Sequence, residues 1–204
     1  MVPTWIYRAG LCTSTVFEIR EAIETDRASL VQMYLQDVEK DEKRAGAFAD
    51  NLLNRMNTIV CIQDSRVIGS LSWDIRGGVE DGVIELVGMG VTQEHRRRGI
   101  GRALVEAMRE TATERFAAGG QHFRFIYLFM ERGNQMARRF YRSVGFMEVC
   151  MIPSMYPHDD ACMWTQSVTG NCSGDCSTNQ PLTGHHPLRR KGKGERTSLS
   201  QQQT

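Results

Sequence analysis

The segment Arg96-Arg97-Arg98-Gly99-Ile100-Gly101 follows the apolar run Ile84–Val91. Glycines between a strand end and a helix start let backbone N–H groups approach an anion without a side chain in the way. The helix behind them offers unpaired donors and the positive end of its dipole. Arg96, Arg97, Arg98 and Arg102 add guanidinium groups that bond phosphate oxygens with charge assistance. A second segment, Asn134-Gln135-Met136-Ala137-Arg138-Arg139-Phe140-Tyr141, is closed by Gly145-Phe146. It sets the Tyr141 hydroxyl on another helix that can face the same ligand. Two familiar nucleotide motifs fit poorly. Leu104 stands where a Rossmann fingerprint needs its third glycine, and no Gly-Lys-Ser/Thr of a P-loop exists. Alone, a glycine-rich turn with arginines is as often a solvated turn. The pair of segments points to an enzyme that handles a long phosphorylated carrier.

The elements that must position these residues are readable from apolar periodicity. Val16–Arg20 alternates as a short strand. Thr25 is placed to cap a helix to about Lys40, with Leu30, Val31, Tyr34, Leu35 and Val38 on one face. A charged turn, Asp37–Arg44, leads to a second helix carrying Ala45, Phe48, Ala49, Leu52, Leu53 and Met56. Strands are expected over Thr58–Gln63, over Val67–Ile75 as a half-buried strand, and over Val83–Val91. A helix starts near Gly99, and Phe123–Met130 reads as a central strand. Asn134–Val144 reads as a helix with Met136, Ala137, Phe140, Tyr141 and Val144 inward and Gly145 at its C-terminus. Phe146–Ile152 and Ala161–Ser167 close the pattern, joined by a loop over 153–160. The fold class is α/β (α+β), a mixed central sheet of about seven strands with about four helices. Residues 1–15 are either a flexible leader or an extra edge strand, 16–168 form the domain, and 169–204 read as a disordered basic tail.

The bulk numbers agree with one soluble domain. The chain has 204 residues, 41% hydrophobic and 24% charged, with net charge +1. In the tail, Arg189, Arg190, Lys191, Lys193 and Arg196 stand against Asp175 and Glu195. The rest is therefore mildly acidic, which argues against nucleic acid as its main ligand. No apolar stretch reaches membrane-span length, and the start does not read as a signal peptide, so a cytoplasmic location is the default. Cys12, Cys61, Cys150 and Cys162 sit in mostly apolar surroundings as reduced, buried thiols. Cys172 and Cys176 with His185 and His186 have poor zinc spacing, and no metal is expected.

On these segments the sequence resembles the GNAT superfamily of acetyl-CoA-dependent N-acyltransferases. Its cofactor signature, Arg/Gln-x-x-Gly-x-Gly/Ala, is matched by Arg96, Gly99 and Gly101. A later signature is matched by Asn134, Ala137, Phe140, Tyr141, Gly145 and Phe146. The resemblance implies acetyl-CoA as co-substrate and direct attack of an amine on its thioester. It implies a pantetheine arm along Met89, Gly90 and Val91, and a pyrophosphate on the amides from Arg97 through Ile100 to Arg102. Asn134 would contact the pantetheine or adenosine end. Tyr141 would protonate the departing thiolate, and the Met89 N–H would stabilise the charged oxygen.

Glu85, mid-strand in an apolar run, is the candidate base, and a salt-bridged carboxylate is its other reading. Tyr141 is alternatively a core aromatic. Tyr156 is similar to the tyrosines with which ribosomal-protein N-terminal acetyltransferases grip a peptide end, although Phe129 stands where those enzymes carry a glutamate. The acceptor is then a protein N-terminus, a lysine or a small amine. The acidic turn at Asp37, Glu39, Asp41 and Glu42 is either an attractor for a cationic acceptor or a solvated turn. A catalytically silent acyl-CoA-binding regulatory module is the rival reading, the basic tail offers a tether to RNA or an acidic protein, and a homodimer is left open.

Overall fold

The computed structural model describes residues 7–8 and 17–168. The leader apart from Tyr7–Arg8, and the tail with Cys172, Cys176, His185 and His186, lie outside these residues. The elements in chain order are β1 (Tyr7–Arg8), β2 (Glu18–Glu21), α1 (Arg27–Asp37), α2 (Glu42–Asn54), β3 (Asn57–Gln63), β4 (Arg66–Arg76) and β5 (Val83–Val91). They continue with α3 (Ile100–Ala118), β6 (Phe125–Glu131), α4 (Gln135–Ser143), β7 (Met147–Tyr156) and β8 (Asp159–Ser167). One mixed sheet runs β1-β2-β3-β4-β5-β6-β8-β7. Every neighbouring pair is antiparallel except β5–β6. The expected mixed sheet is present, with the two-residue β1 added at one edge.

Helices cover both faces. A Cβ on Gly69 of β4 would meet Leu104 and Ile100 of α3, whereas one on Gly90 of β5 would meet Met33 of α1. Gly69 pairs with Val91, the neighbour of Gly90, so the two contacts lie on opposite faces. The larger core, on the α3 and α4 face, gathers Trp73, Leu104, Met108, Phe116, Leu128 and Trp164, all nearly inaccessible. A smaller one packs Leu30, Ala49 and Leu52 on Val60. Burying a side chain such as Leu104 contributes about 1.5–3 kcal/mol.

Several sequence expectations need correction. β4 is buried on both faces, not half-buried: Ser70 and Ser72 are inside. Ser72 is satisfied by Thr58, whose hydroxyl lies 2.9 Å from it and 2.6 Å from the Leu52 carbonyl. Thr25 does not cap α1: it lies in a short 3₁₀ turn, Glu24–Asp26, that leads into the helix and is held by buried Asp26. Asp26 accepts from the Ile23 amide at 2.8 Å and from Arg20 at 2.7 and 2.9 Å. α2 begins at Glu42, where Asp41 caps the Arg44 amide, so it takes in part of the charged turn. Met136 is 59% exposed and does not face the core, and Cys150 is exposed too. The loop expected over 153–160 is mostly strand, because β7 runs to Tyr156 and β8 restarts at Asp159. Pro153 is tolerated there because β7 is an edge strand. Among the described residues no helix is long and apolar enough to cross a membrane.

Candidate active site

β5 and β6 start side by side and then part. Their register covers only Val83–Glu85 against Phe125–Tyr127. Beyond it β5 keeps its bonds to β4, with an irregularity between Trp73↔Leu86 and Ser72↔Gly88 that leaves Val87 as the extra residue. The edge of Gly88–Val91 facing away from β4 is thus left without a strand. The Thr92 amide donates to the Ile68 carbonyl at 2.9 Å, toward β4. By period two the amides and carbonyls of Val91 and Met89 turn to the opposite, parted edge. That edge is a template onto which an extended, amide-bearing chain can dock.

At the end of β5 the chain makes a short turn into α3. Arg97 has φ 63° and Gly99 φ 82°, both left-handed. Such a conformation costs a non-glycine residue such as Arg97 about 1–2 kcal/mol. Gly99 precedes α3 and makes no side-chain cap. Among the described residues, the amides from Arg97 to Arg102 have no hydrogen-bond acceptor; the helix ladder begins with Ala103 N–H to the Gly99 carbonyl at 3.0 Å. Nothing lies within 4 Å of a Cβ built on Gly99. Consecutive unpaired amides, an open approach and a helix N-terminus form an anion cradle, and a diphosphate fits this donor set.

The side chains around the cradle divide by role. Ile100 is 2% exposed and serves the core, leaving only its amide to the turn. Gly101 admits α4: a Cβ there would lie 3.0 Å from Phe140 and 3.8 Å from the Met89 methyl. Arg102 donates to the Ser143 carbonyl at 3.0 Å, at the end of α4. Arg97 and Arg98 are exposed and make no side-chain bond among the described residues. The Arg96 side chain is committed elsewhere, with Nε on the Val91 carbonyl at 2.9 Å and Nη2 on Asp37 at 2.7 Å.

On α4, Asn134 caps the helix through its side-chain oxygen, which accepts from the Ala137 amide at 3.0 Å. Tyr141 is 7% exposed and packs edge-on against Phe140 and Phe146. Its hydroxyl has no hydrogen-bond partner among the described residues. Burial pushes this phenol well above the usual tyrosine range, so it keeps its proton at any ordinary pH. The packing is that of a core aromatic, and the unpartnered hydroxyl is the atom with spare donor capacity.

Glu85 lies on the face opposite the α3 core, since its neighbours Ile84 and Leu86 point into that core. Arg76 donates to its Oε2 at 2.7 Å from Nε and approaches at 2.6 Å from Nη2; the Tyr127 hydroxyl donates to the same oxygen at 3.4 Å. Oε1 has no partner among the described residues. Asp74 holds the far side of Arg76 at 3.0 Å. Tyr127, Phe129 and Glu131 alternate onto the same face of β6, and the rings of Tyr127 and Phe129 meet edge-on at 5.7 Å. Tyr156 stands at the end of β7, not in a loop, paired with Asp159. Burial raises its phenol, and the charges of Glu131 and Glu85 raise it further.

Sequence reasoning missed Arg76 and Tyr127 as partners of Glu85, and it read Asp37 as part of an acceptor-attracting or solvated turn, not as the partner of Arg96. The only available signal was a polar-tipped aromatic in the otherwise apolar run of β6; the parallel register that brings it to Glu85 is not written locally.

Residues 18–146, more than half of the chain, match the family described as "Acetyltransferase (GNAT) family". The chain belongs to the GNAT acetyltransferases. Acetyl-CoA is the acyl donor of this family. No curated protein sequence matches the chain at a significant level. Among solved structures, Ard1 from Thermoplasma volcanium superposes with TM-score 0.62 at 19% identity, covering 76% of this chain and 99% of that one. The ribosomal-protein-S18-alanine N-acetyltransferase from Escherichia coli gives 0.61 at 20% identity, covering 76% and 97%. Arabidopsis thaliana NAA60 in complex with acetyl-CoA gives 0.60 at 18%, covering 76% and 99%. At these identities the likeness is one of fold, and this GNAT chain's site must be argued from its own residues.

Proposed function

We propose that this GNAT protein is an N-acetyltransferase that moves an acetyl group from acetyl-CoA to a primary amine by direct attack. The observation that carries the reading is the run of unpaired amides from Arg97 to Arg102 at the end of the parted β5 edge. These amides would hold the diphosphate, and the Met89 carbonyl and Val91 amide on the parted edge, with Gly90 between them and Asn134 opposite, would hold the pantetheine arm. Acetyl-CoA, when bound, supplies the acetyl group already activated as a thioester. Glu85 takes a proton from the acceptor ammonium at its free Oε1, leaving a neutral amine. The Met89 N–H donates to the oxygen that gains negative charge. As the C–S bond breaks, the Tyr141 phenol, kept protonated by burial, gives its proton to the departing sulfur, and the further proton that the attacking nitrogen sheds on becoming an amide restores the phenol.

The preferred acceptor is an α-amine, with Tyr156, Tyr127 and Glu131 lining its approach. An α-amine is about one-third neutral at pH 7.5, a lysine side chain only about one-thousandth. A base already engaged by Arg76 and Tyr127 serves the first better. Glu131, two residues after Phe129 on the same strand face, puts a carboxylate near where the ribosomal-protein enzymes carry theirs. The similarity to a structure named for acetylating an alanine of ribosomal protein S18 fits this choice.

Thiol release with acetyl-CoA and a panel of peptides and small amines tests it. We expect turnover on peptides with a free N-terminus, abolished when that terminus is blocked. Equal turnover on blocked, lysine-bearing peptides would overturn the acceptor assignment. Acetyl-CoA binding without turnover on any amine would overturn the catalytic one.

A further inference from the structure

We propose that Asp37, acting through the Arg96 guanidinium, is a positioning residue that keeps the Arg97–Arg102 turn open for the diphosphate. The inference rests on the reading of that turn as the cofactor cradle. Arg96 is the last fixed point before it. Its own amide makes only a long bond, 3.4 Å, to the Gln93 carbonyl. The next backbone bond along the chain is that of Ala103, on the helix side. Between the two, Arg97 and Gly99 hold left-handed angles with no side-chain cap. Nothing inside the turn enforces that conformation.

The enforcement comes from the Arg96 side chain. Nε binds the Val91 carbonyl at the end of β5 and Nη2 binds Asp37, which is fifty-nine residues away in sequence. A planar guanidinium fixed at both ends cannot swing into the amide cradle or act as a mobile phosphate ligand. Asp37 is the last residue of α1, and α1 is itself seated: the Met33 methyl lies where a Cβ on Gly90 would approach it to 3.1 Å, and Tyr34 packs on Phe48 at 5.0 Å. One ion pair thus ties the cradle to the helical layer on the sheet face that carries Glu85. The acidic turn therefore contributes at least one carboxylate to the cofactor side of the site, not to acceptor attraction.

Both partners are about one-third exposed, 33% each. Such a pair adds little to global stability. Its loss should appear in cofactor affinity and hardly in the melting temperature. The test is calorimetric titration of acetyl-CoA into the full-length chain and its D37N, D37E, R96Q, D37N/R96Q and G99D variants, with melting curves for each. We expect D37N and R96Q each to weaken binding about three- to tenfold, with the double variant no weaker than R96Q alone. D37E should recover most of the loss, melting should stay within about 3 °C, and kcat at saturating acetyl-CoA should be unchanged. Unaltered affinity in D37N, or additive losses in the double variant, would overturn the coupling. Tighter binding in D37N would show Arg96 to be a phosphate ligand withheld by Asp37, which also overturns it. Unaltered affinity in G99D would instead strike the cradle reading itself.

Discussion

Glu85 and Tyr141 sit in opposite surroundings. Glu85 meets a guanidinium and a hydroxyl on one oxygen and leaves the other free. Tyr141 packs on the rings of Phe140 and Phe146, and desolvation holds its proton in place. A carboxylate with a free oxygen and a phenol that is protonated at rest are suited to the proton transfers that amine acetylation needs. Tyr141→Phe keeps the ring and its packing and removes only the donor. It should lower kcat about a hundredfold while acetyl-CoA affinity stays within about twofold, read by steady-state kinetics and calorimetry. Unchanged kcat would leave Tyr141 a core aromatic and nothing more. Both residues stand out in the sequence by type and place. The Arg76 and Tyr127 partners of Glu85 do not, because they depend on which strands pair and in what register.

The order of strands and helices was legible from period alone, since each element buries a face with its own repeat. Errors fell where tertiary context overrides local signals. Pro153, Ser154 and Pro157 read as a loop. In the fold Ser154 takes a left-handed φ of 54° and its amide bonds Asp160 at 3.0 Å, so β7 passes through an irregularity and continues to Tyr156. Tyr156 on a strand end pairs with Asp159 of β8, which separates β7 from β6. Gly101 was read for its place at the cradle, but its environment adds a second constraint: α4 presses Phe140 onto it. Gly101→Val should therefore overpack this contact and cost about 1–3 kcal/mol, measured as a lowered denaturation midpoint. A midpoint equal to the parent's would show that α3 and α4 do not meet there.

Across the whole molecule, the layered sheet does two things at once. It buries a single large core on the α3 and α4 face, and it parts β5 from β6 so that one strand edge and one helix start open at the same place. The core carries its own titration. The Cys61 thiol, 0% exposed, is pushed by burial up to about 12 from an ordinary 9.0. The folded chain keeps a proton that the unfolded chain releases, so this contribution to stability is whole below pH about 9 and fades as pH climbs toward 12. The Tyr141 phenol acts in the same direction. Melting temperature should fall across that range, and Cys61→Ala should flatten part of the fall; a flat profile in the parent would contradict the packing around β3. The most direct measurement of the central claim is acetyl-CoA binding to the parent chain and to Gly99→Asp, with Gly99→Asn as the uncharged control. Aspartate and asparagine both tolerate a left-handed φ, and only aspartate sets a negative charge against the diphosphate. The account predicts binding by the parent, a loss of about a hundredfold in Gly99→Asp, equivalent to about 2.7 kcal/mol, and a much smaller loss in Gly99→Asn. Equal affinity in all three would contradict it.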